Sequence, residues 1–259
     1  MQSSSLQSKS ILVTGAAGRI GSAVVRLALE RGAHVIAADI SSRGLNSILD
    51  SLATSFLPNF TPEIVDITNL SATSSLIDRS VAKFGRIDGV VHSAYPRSDK
   101  WGSSFEDLRS EFLSKDLSLQ LGGAIMLSQA VYKLFCRQGG GSLVHVSSIQ
   151  GVRAPKFEHY DDTQMSSPIE YAAIKSGIIS ITRWLAKYSA NRNIRVNCVS
   201  PGGILAAQPE EFLKRYRQSC TNIGMLSAEQ VAAAIVFLLG PDAAAINGQN
   251  IIVDDGWTL

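Results

Sequence analysis

A tyrosine and a lysine stand four positions apart in the chain, at Tyr171 and Lys175. If this segment is helical, the phenol and the ammonium lie on one face of the helix. An adjacent cation lowers the pKa of a phenol from about 10 towards neutral pH, as a general acid and base for interconverting an alcohol and a carbonyl requires. The same spacing also arises on amphipathic helices that have no catalytic role, so the pair needs support from the rest of the sequence.

Three glycines follow the first apolar run of the chain, within the segment Thr-Gly-Ala-Ala-Gly-Arg-Ile-Gly of residues 14–21. Gly15 and Gly18 allow the backbone to approach a pyrophosphate, and Gly21 allows a helix to pack closely on a strand. A helix that begins here would add unpaired N–H donors and a positive dipole. Arg19 would either bind a phosphate group or remain solvated.

The second apolar run ends at Asp39. A carboxylate at this point accepts hydrogen bonds from the adenosine ribose and repels a 2′-phosphate. The glycine turn and Asp39 together predict a dinucleotide site with NAD as the cofactor, and NADP is less favoured. The alternative is that Asp39 only caps the turn before Ser41 and Ser42.

These residues need a scaffold, and the chain alternates short β-branched apolar runs with longer segments of three- and four-residue apolar spacing. The pattern is typical of βαβ units and predicts an α/β Rossmann-type fold, with a doubly wound, seven-stranded parallel sheet and helices on both faces. The predicted strands are 10–14, 33–39, 63–66, 89–93, 142–148, 195–200 and 250–253. The predicted helices are 20–31, 45–55, 70–84, 105–137, 169–191 and 228–239.

The chain shows no composition shift, linker or internal repeat that would divide it. We therefore expect a single domain over residues 1–259. Residues 151–168 fit no regular element, and loops of this length in compact domains are often functional. This segment is predicted to be an insertion that reaches the substrate.

The 259 residues include 24 Lys and Arg against 22 Asp and Glu, and 45% of them are hydrophobic. The charges are scattered, which argues against a nucleic-acid partner. No apolar run approaches the ~18 residues of a membrane span, and the polar segment 1–10 lacks a secretory signal, so we expect no membrane partner and a cytoplasmic protein. Three distant cysteines match neither a disulfide framework nor a metal site, and no metal is expected.

Several motifs occur in one order along the chain: the glycine turn, Asp66 after the third predicted strand, Ser148 three residues before Gly151, the Tyr171/Lys175 pair, and Arg-Val-Asn-Cys-Val-Ser-Pro-Gly at 195–202. In this order the sequence resembles the short-chain dehydrogenase/reductase family over essentially its whole length. The resemblance implies that Tyr171 donates or accepts the proton and that Lys175 binds the nicotinamide ribose. It also implies that Ser148 hydrogen-bonds the reacting oxygen, and the alternation along its strand favours Ser148 over Ser147.

The resemblance further implies a cofactor-binding set around the glycine turn and the loops that follow four of the strands. Its members are Gly15, Ala17, Gly18, Arg19, Ile20, Gly21, Asp39, Ile40, Asp66, Ile67, Ser93, Ala94, Tyr95, Tyr171, Lys175, Pro201, Gly202, Gly203 and Ile204. Asp66 and Ile67 would lie by the adenine, and Pro201 with Gly202 by the nicotinamide.

Two of the chain's departures from the family pattern concern the segment after the fourth predicted strand and the long predicted helix at 105–137. After the fourth strand the family usually has Asn-Asn-Ala-Gly, whereas this chain has His92-Ser93-Ala94-Tyr95. His92 either replaces the Asn structurally or is a core histidine with satisfied hydrogen bonds. Gln120 stands where the family's active-site Asn holds a water of the proton relay, and it is the fourth expected catalytic residue.

Segments 95–97, 154–158, 201–205 and 247–256 are similar to bacterial flagellin-modification oxidoreductases, which are associated with sialic-acid-like sugars. This resemblance implies an anionic small-molecule substrate, a sugar phosphate or a nucleotide-linked amino sugar. Arg97, Arg153 and Lys156 would either contact its phosphate or remain solvated. The pocket-lining candidates, which would otherwise only pack the long loop, are Tyr95, Gln150, Phe157 and His159.

The sequence thus favours an NAD-dependent oxidoreductase. The alternatives are an epimerase or dehydratase that recycles its NAD, and a catalytically weak protein that only binds the cofactor. The apolar helices predicted at 105–137 and 169–191 would pair across a two-fold axis, as the resemblance implies, to form a homodimer or homotetramer.

Overall fold

One parallel sheet of seven strands, in the order β3-β2-β1-β4-β5-β6-β7, forms the centre of the computed structural model, which describes residues 5–259. Residues 1–4 of the polar amino-terminal segment lie outside the described residues. The predicted doubly wound α/β fold is confirmed. The strands are β1 (Ser10–Thr14), β2 (His34–Asp39), β3 (Phe60–Ile64), β4 (Gly89–His92), β5 (Gly141–Val146), β6 (Ile194–Pro201) and β7 (Asn250–Val253).

Helices cover both faces of this sheet. Within residues 5–259 they are α1 (Arg19–Glu30), α2 (Ser42–Ser51), α3 (Leu70–Phe84), α4 (Ser110–Asp116), α5 (Gly123–Gln138), α6 (Ile169–Tyr188), α7 (Glu210–Gln218) and α8 (Ala228–Leu239). None of the helices in this part of the chain is long and apolar enough to cross a bilayer.

Alternate residues of the central strands supply two separate hydrophobic cores. Val13 of β1 and Val144 of β5 belong to the core under α1 and α8. Their neighbours Leu12 and Leu143 belong to the core under α3 and α5. Because side chains alternate between the faces of a strand, a strand covered on both sides must be apolar throughout, which explains the continuous apolar runs in the sequence.

The third strand lies further towards the amino terminus than the predicted 63–66. It spans Phe60–Ile64, contains Pro62, and pairs on one side only, with β2. An edge strand tolerates proline and polar residues, so its sequence lacks the apolar run that marks the inner strands.

The predicted helix 105–137 is interrupted. Its first regular turn begins only at Ser110, and the segment Leu117–Gly122 is a π-helix between α4 and α5. Ser104 and Asp107 hydrogen-bond to each other before the helix, which competes with helical backbone bonds. Three other predicted helices, 20–31, 45–55 and 169–191, end earlier, at Glu30, Ser51 and Tyr188.

One helix has no predicted counterpart. The sequence of α7 is strongly charged, and only Phe212 and Tyr216, four residues apart, are buried. Two apolar residues are too few for a clear helical periodicity, although Pro209 followed by two glutamates is a typical helix start.

Candidate active site

Tyr171 and Lys175 lie one turn apart near the start of α6, over the carboxyl ends of β5 and β6. Lys175 is buried, and its Nζ donates to the carbonyl of Val146 at 3.1 Å. A Cβ on Gly151 would lie 2.6 Å from the carbonyl carbon of Lys175, so the loop after β5 needs glycine to pack on the helix. The scaffold thus holds both residues of the pair against the sheet edge.

The two adjacent serines after β5 have different roles. The Ser147 hydroxyl donates to the carbonyl of Lys175 at 2.8 Å and so fixes α6 to the sheet. The Ser148 hydroxyl accepts from the backbone N–H of Gln150 at 3.2 Å and hydrogen-bonds Tyr171. The structure therefore directs Ser148 to the tyrosine, in line with the alternation along the strand.

Burial dominates the electrostatics of the pair, and the predicted lowering of the Tyr171 pKa by the adjacent cation is not found. Burial raises the pKa of Tyr171, an effect that the hydrogen bond with Ser148 opposes. Burial also lowers the pKa of Lys175 to about 8. Near neutral pH the site therefore holds a protonated phenol, suited to donating a proton to a carbonyl oxygen, beside a lysine that still carries its charge.

The glycine turn leaves no room for side chains. Gly15 has φ +70°, and a Cβ there would lie 2.5 Å from the backbone nitrogen of Ala94. A Cβ on Gly21 would lie 2.1 Å from the carbonyl oxygen of Gly15. The helix α1 begins at Arg19 without a side-chain cap on its N–H groups. Free N–H donors beside a bare backbone turn fit the pyrophosphate of a dinucleotide.

Asp39 fixes this turn. One carboxylate oxygen accepts from the N–H of Ala17 at 2.9 Å, and the other accepts from Ser41 at 2.9 Å. The turn-capping interpretation is therefore observed. A carboxylate oxygen can accept more than one hydrogen bond, so the predicted contact with the adenosine ribose is compatible with this geometry.

The rest of the predicted adenine side lies at the ends of β2 and β3. Asp66 accepts hydrogen bonds from the backbone and hydroxyl of Thr68, at 2.9 and 2.7 Å. Ile40 is exposed, whereas Ile67 is buried in the core under α3 and α5. A cofactor at this edge would meet Ile40 and Asp66 more readily than the side chain of Ile67.

A cavity of about 440 Å³ joins the glycine turn to Tyr171. It brings together most of the predicted catalytic and nicotinamide-side residues. Those that line it are Gly18, Arg19, Ile20, Gly21, Ser93, Tyr95, Ser148, Gln150, Tyr171, Lys175, Pro201, Gly202, Gly203 and Ile204. Gly15, Ala17 and Ala94 lie immediately behind this lining, in the turn and in the adjoining loop.

The far wall of the cavity is built from residues that the sequence patterns did not indicate, apart from His159. They come from the 151–168 loop, from α7 and the segments flanking it, and from the end of the chain. They are His159, Tyr160, Met165, Gln208, Phe212, Tyr216, Met225 and Trp257. We call this set the aromatic wall. The usable sequence signals were the length of the insertion and the four-residue spacing of Phe212 and Tyr216.

Side-chain contacts join the parts of the aromatic wall. His159 Nε2 and Ser219 Oγ lie 3.0 Å apart, which ties the loop to the end of α7. The rings of Tyr216 and Trp257 stack with centroids 6.0 Å apart. The Tyr216 hydroxyl accepts from the N–H of Gly203 at 2.6 Å, so the wall also holds the predicted nicotinamide loop.

Of the predicted substrate residues outside the cofactor set, Gln150 and His159 line the cavity. The Gln150 amide donates to the Tyr160 hydroxyl at 3.2 Å. Arg97 lies outside, with its guanidinium 5.3 Å from the ring centre of Tyr95. Arg153 and Phe157 are exposed and do not line the cavity.

Gln120 is buried in the π-helix, and neither atom of its amide has a hydrogen-bond partner within residues 5–259. A buried amide of this kind is a natural place for an ordered water. Gln120 does not line the cavity that contains Tyr171, so its water-holding role stays a prediction.

His92 is a core histidine. Its Nδ1 lies 3.1 Å from Nδ1 of His145, and Nε2 of His145 lies 3.1 Å from the hydroxyl of Ser128. Burial lowers the pKa of both histidines, that of His145 to about 4, so both are neutral at physiological pH. Of the two interpretations of His92, the satisfied core histidine is the one observed.

The chain matches known proteins over almost its whole length. Residues 15–258 match the family profile described as "Enoyl-(Acyl carrier protein) reductase". The chain is 41% identical over 255 residues to "Post-translational flagellin modification protein A" of Campylobacter coli, covering 98% of this chain and 100% of the relative. It is 31% identical over 258 residues to "7alpha-hydroxysteroid dehydrogenase" of Bacteroides fragilis, covering 98% and 95%.

The fold also matches solved structures. A crystal structure of a short chain dehydrogenase from Leptospira borgpetersenii with bound NAD+ superposes with a TM-score of 0.87 at 30% identity. The match covers 98% of this chain and 94% of that one.

Proposed function

The chain belongs to the short-chain dehydrogenase/reductase family, and on that premise we propose that it interconverts a secondary alcohol and a ketone on a carbohydrate, using NAD(H). It is an oxidoreductase of that family with an NAD site. The carbohydrate substrate, and the roles of individual residues, are the proposal.

The cofactor supplies the hydride acceptor in one direction and the hydride donor in the other. The glycine turn and the start of α1 would hold its pyrophosphate, and Asp39 its adenosine ribose. Lys175 would hold the nicotinamide ribose, with the loop 201–204 beside the ring. These groups line one continuous edge of the sheet, as an extended dinucleotide requires.

Proton transfer is assigned to Tyr171. In reduction, the ketone oxygen accepts the proton of the Tyr171 hydroxyl, while Ser148 hydrogen-bonds the same oxygen. In oxidation the alcohol proton passes to the phenolate. Lys175 would stabilise the phenolate in both directions. A water on Gln120 would return a proton to it after reduction and carry the proton away after oxidation.

The observation that carries the carbohydrate proposal is the aromatic wall itself. It sets the rings of Tyr160, Phe212 and Trp257 and the amide of Gln150 around the cavity that contains Tyr171. A sugar ring has an apolar C–H face that packs on aromatic rings and hydroxyl groups that bond to amides. The flagellin-modification relative adds support for a sugar.

We further propose that the sugar is phosphorylated or nucleotide-linked. No acidic side chain lines the cavity among the described residues, and Arg97 stands beside Tyr95 at its edge. With the sugar ring against the aromatic wall, a phosphate would extend towards the Arg97 guanidinium. Arg forms bidentate contacts with phosphate.

The test is NAD+ reduction with hexosamine phosphates, nucleotide-linked amino sugars, neutral sugars and hydroxysteroids, each measured by NADH absorbance. We expect turnover with an anionic sugar, and Arg97→Gln should raise its KM at least ~10-fold without changing the KM of a neutral analogue. Exclusive turnover of hydroxysteroids would overturn the proposal. Sugar conversion with flat NADH absorbance would identify an epimerase or dehydratase instead.

We also propose that two copies pair through α5 and α6. Trp184 and Tyr188 stack at 4.7 Å on the outside of α6 although each is more than half exposed, and Ile125 of α5 is exposed beside them. These side chains border an apolar groove between the two helices. An exposed apolar patch of this kind marks a protein interface. Sedimentation should show a dimer or tetramer, and Trp184→Glu should shift it towards monomer.

A further inference from the structure

Tyr95, in the loop after β4, places its aromatic ring against Tyr171 and Lys175. The short-chain dehydrogenase/reductase family usually has glycine at this position. The Tyr95 ring lies 5.7 Å from that of Tyr171, centre to centre, at an angle of 74°. Trp101 meets Tyr95 at 5.4 Å and Tyr171 at 6.1 Å, also edge to face. The three rings form a closed set in the edge-to-face geometry that aromatic side chains prefer.

The Lys175 ammonium lies against two of these rings. Its Nζ is 5.4 Å from the ring centre of Tyr95 and 5.5 Å from that of Tyr171. The carbonyl of Val146 accepts its hydrogen bond. None of the ion pairs found in residues 5–259 involves Lys175. A buried ammonium without a carboxylate partner depends on such carbonyl and ring contacts.

Among residues 5–259, no ion pair places an anionic side chain against Lys175. His92 of β4 and His145 of β5 face it, both neutral, and each is disfavoured as a cation by the ammonium. Cys198 of β6 also lies near it, and burial raises the pKa of this thiol to about 12, so it carries no charge at neutral pH. From its own helix, Lys175 meets Tyr171. The Val146 carbonyl and the rings of Tyr95 and Tyr171 are therefore the contacts that can favour the charged form.

The position of Tyr95 is fixed from behind. Ser98 donates both its backbone N–H and its hydroxyl to the carboxylate of Asp116, each at 2.7 Å. Both residues are buried, so this contact anchors the loop to α4. Tyr95 is 38% exposed towards the cavity, and its hydroxyl makes no hydrogen bond within the described part of the chain.

We propose that Tyr95 is a positioning residue, whose ring holds the Lys175 ammonium in place and in its charged form beside Tyr171. The proposal uses only the NAD-binding property of the family and is independent of the carbohydrate substrate. It assigns to the ring, and not to the hydroxyl, the effect on Lys175.

The experiment measures the dissociation constant of NAD+ as a function of pH, so it needs no substrate. Lys175→Met identifies the inflection that belongs to Lys175, expected near pH 8. Tyr95→Phe keeps the ring and should keep that inflection. Tyr95→Leu removes the ring and should move the inflection to a pH lower by about 0.5–1.5 units. This shift is the equivalent of one desolvated cation–π contact. Tyr95→Met is a second ringless variant should the leucine variant not fold.

Trp101→Leu is the matched control. Trp101 packs on the rings of Tyr95 and Tyr171, but the cation–ring contacts of Lys175 found in residues 5–259 are with those two rings and not with Trp101. The Trp101→Leu variant should lower the melting temperature and leave the inflection unchanged. An equal shift in Trp101→Leu and Tyr95→Leu would show that the cluster acts only through packing. That result would overturn the proposal, as would an unchanged inflection in the folded ringless variants or the absence of a Lys175-dependent inflection.

Discussion

The two halves of the cavity are built in different ways. The half proposed to hold the cofactor lies around the glycine turn 15–21 and the loop 201–204, and we call it the cofactor half. Its surface is mainly backbone, because glycines near strand ends and the start of α1 supply it. The aromatic wall consists of side chains from three segments that are distant in the chain and are joined by Tyr216, His159 and Trp257. A backbone site tolerates no added atoms, whereas a side-chain site tolerates exchange of the atoms that contact the ligand. The first half therefore suits a constant cofactor, and the second suits a substrate that differs between relatives.

The largest effect is expected where the two halves meet. Tyr171→Phe removes the only transferable proton of that side chain and should lower kcat at least ~10²-fold while the dissociation constant of NAD+ changes little. Stopped-flow measurement of NADH formation separates the two quantities. A retained kcat would contradict both the acid/base assignment and the division into halves, since Tyr171 would then only line the cavity.

The backbone character of the cofactor half is tested at Gly15. Gly15→Ala adds a Cβ at positive φ and 2.5 Å from Ala94, so the turn must shift, and NAD+ binding should weaken about 10- to 100-fold. Gly85→Ala is the matched control, because Gly85 has φ +79° with nothing within 4 Å. It should lose stability but keep its NAD+ affinity. Equal loss of affinity in both variants would mean that strain alone, and not the turn, controls binding.

Lys175 lies buried between the two halves, and burying its charge lowers the free energy of unfolding. Its pKa is about 8 in the folded protein against 10.5 as a free side chain, so below pH 8 folding carries the full penalty of burying the charge. Between pH 8 and 10.5 the unfolded chain binds the extra proton, so the penalty disappears as pH rises. Lys175→Met should therefore stabilise the protein without cofactor at pH 7 by about 1–3 kcal/mol and by much less at pH 10. Urea denaturation at the two pH values checks this; an equal gain at both would contradict it.

The smallest effect concerns the hydrogen bond that joins the halves. Tyr216→Phe leaves the N–H of Gly203 without its partner, which should reduce stability by about 1 kcal/mol. Because Gly203 belongs to the predicted nicotinamide loop, both the NAD+ dissociation constant and the substrate KM should rise a few-fold. Phe212→Leu serves as the comparison, since it alters the wall without touching Gly203 and should change the substrate KM alone. If both variants affect only the substrate, the halves are energetically independent.

The sequence predicted the inner strands, which position the cofactor half, more accurately than the elements at the edges of the fold. Strands such as β1, β4 and β5 were predicted closely because they are buried on both faces and their apolar runs are continuous. The prediction for the edge strand β3 was displaced towards the carboxyl terminus, because Pro62 and its polar neighbours do not form an apolar run. The helix α7 was missed, because its stability depends on two aromatic residues that contact a loop and the end of the chain.

The sequence by itself determined the fold class, the glycine turn at the end of β1, and the spacing of Tyr171 and Lys175. Each of these depends on local spacing and on alternation between sheet faces. Tertiary structure alone decided the aromatic wall, the pairing of His92 with His145, and the seat of Lys175 between the rings of Tyr95 and Tyr171. His92 and His145, and likewise Tyr95 and Lys175, are dozens of positions apart in the chain. Local propensity and periodicity carry no information about such distant pairs, since they form only when the packed sheet brings the segments together.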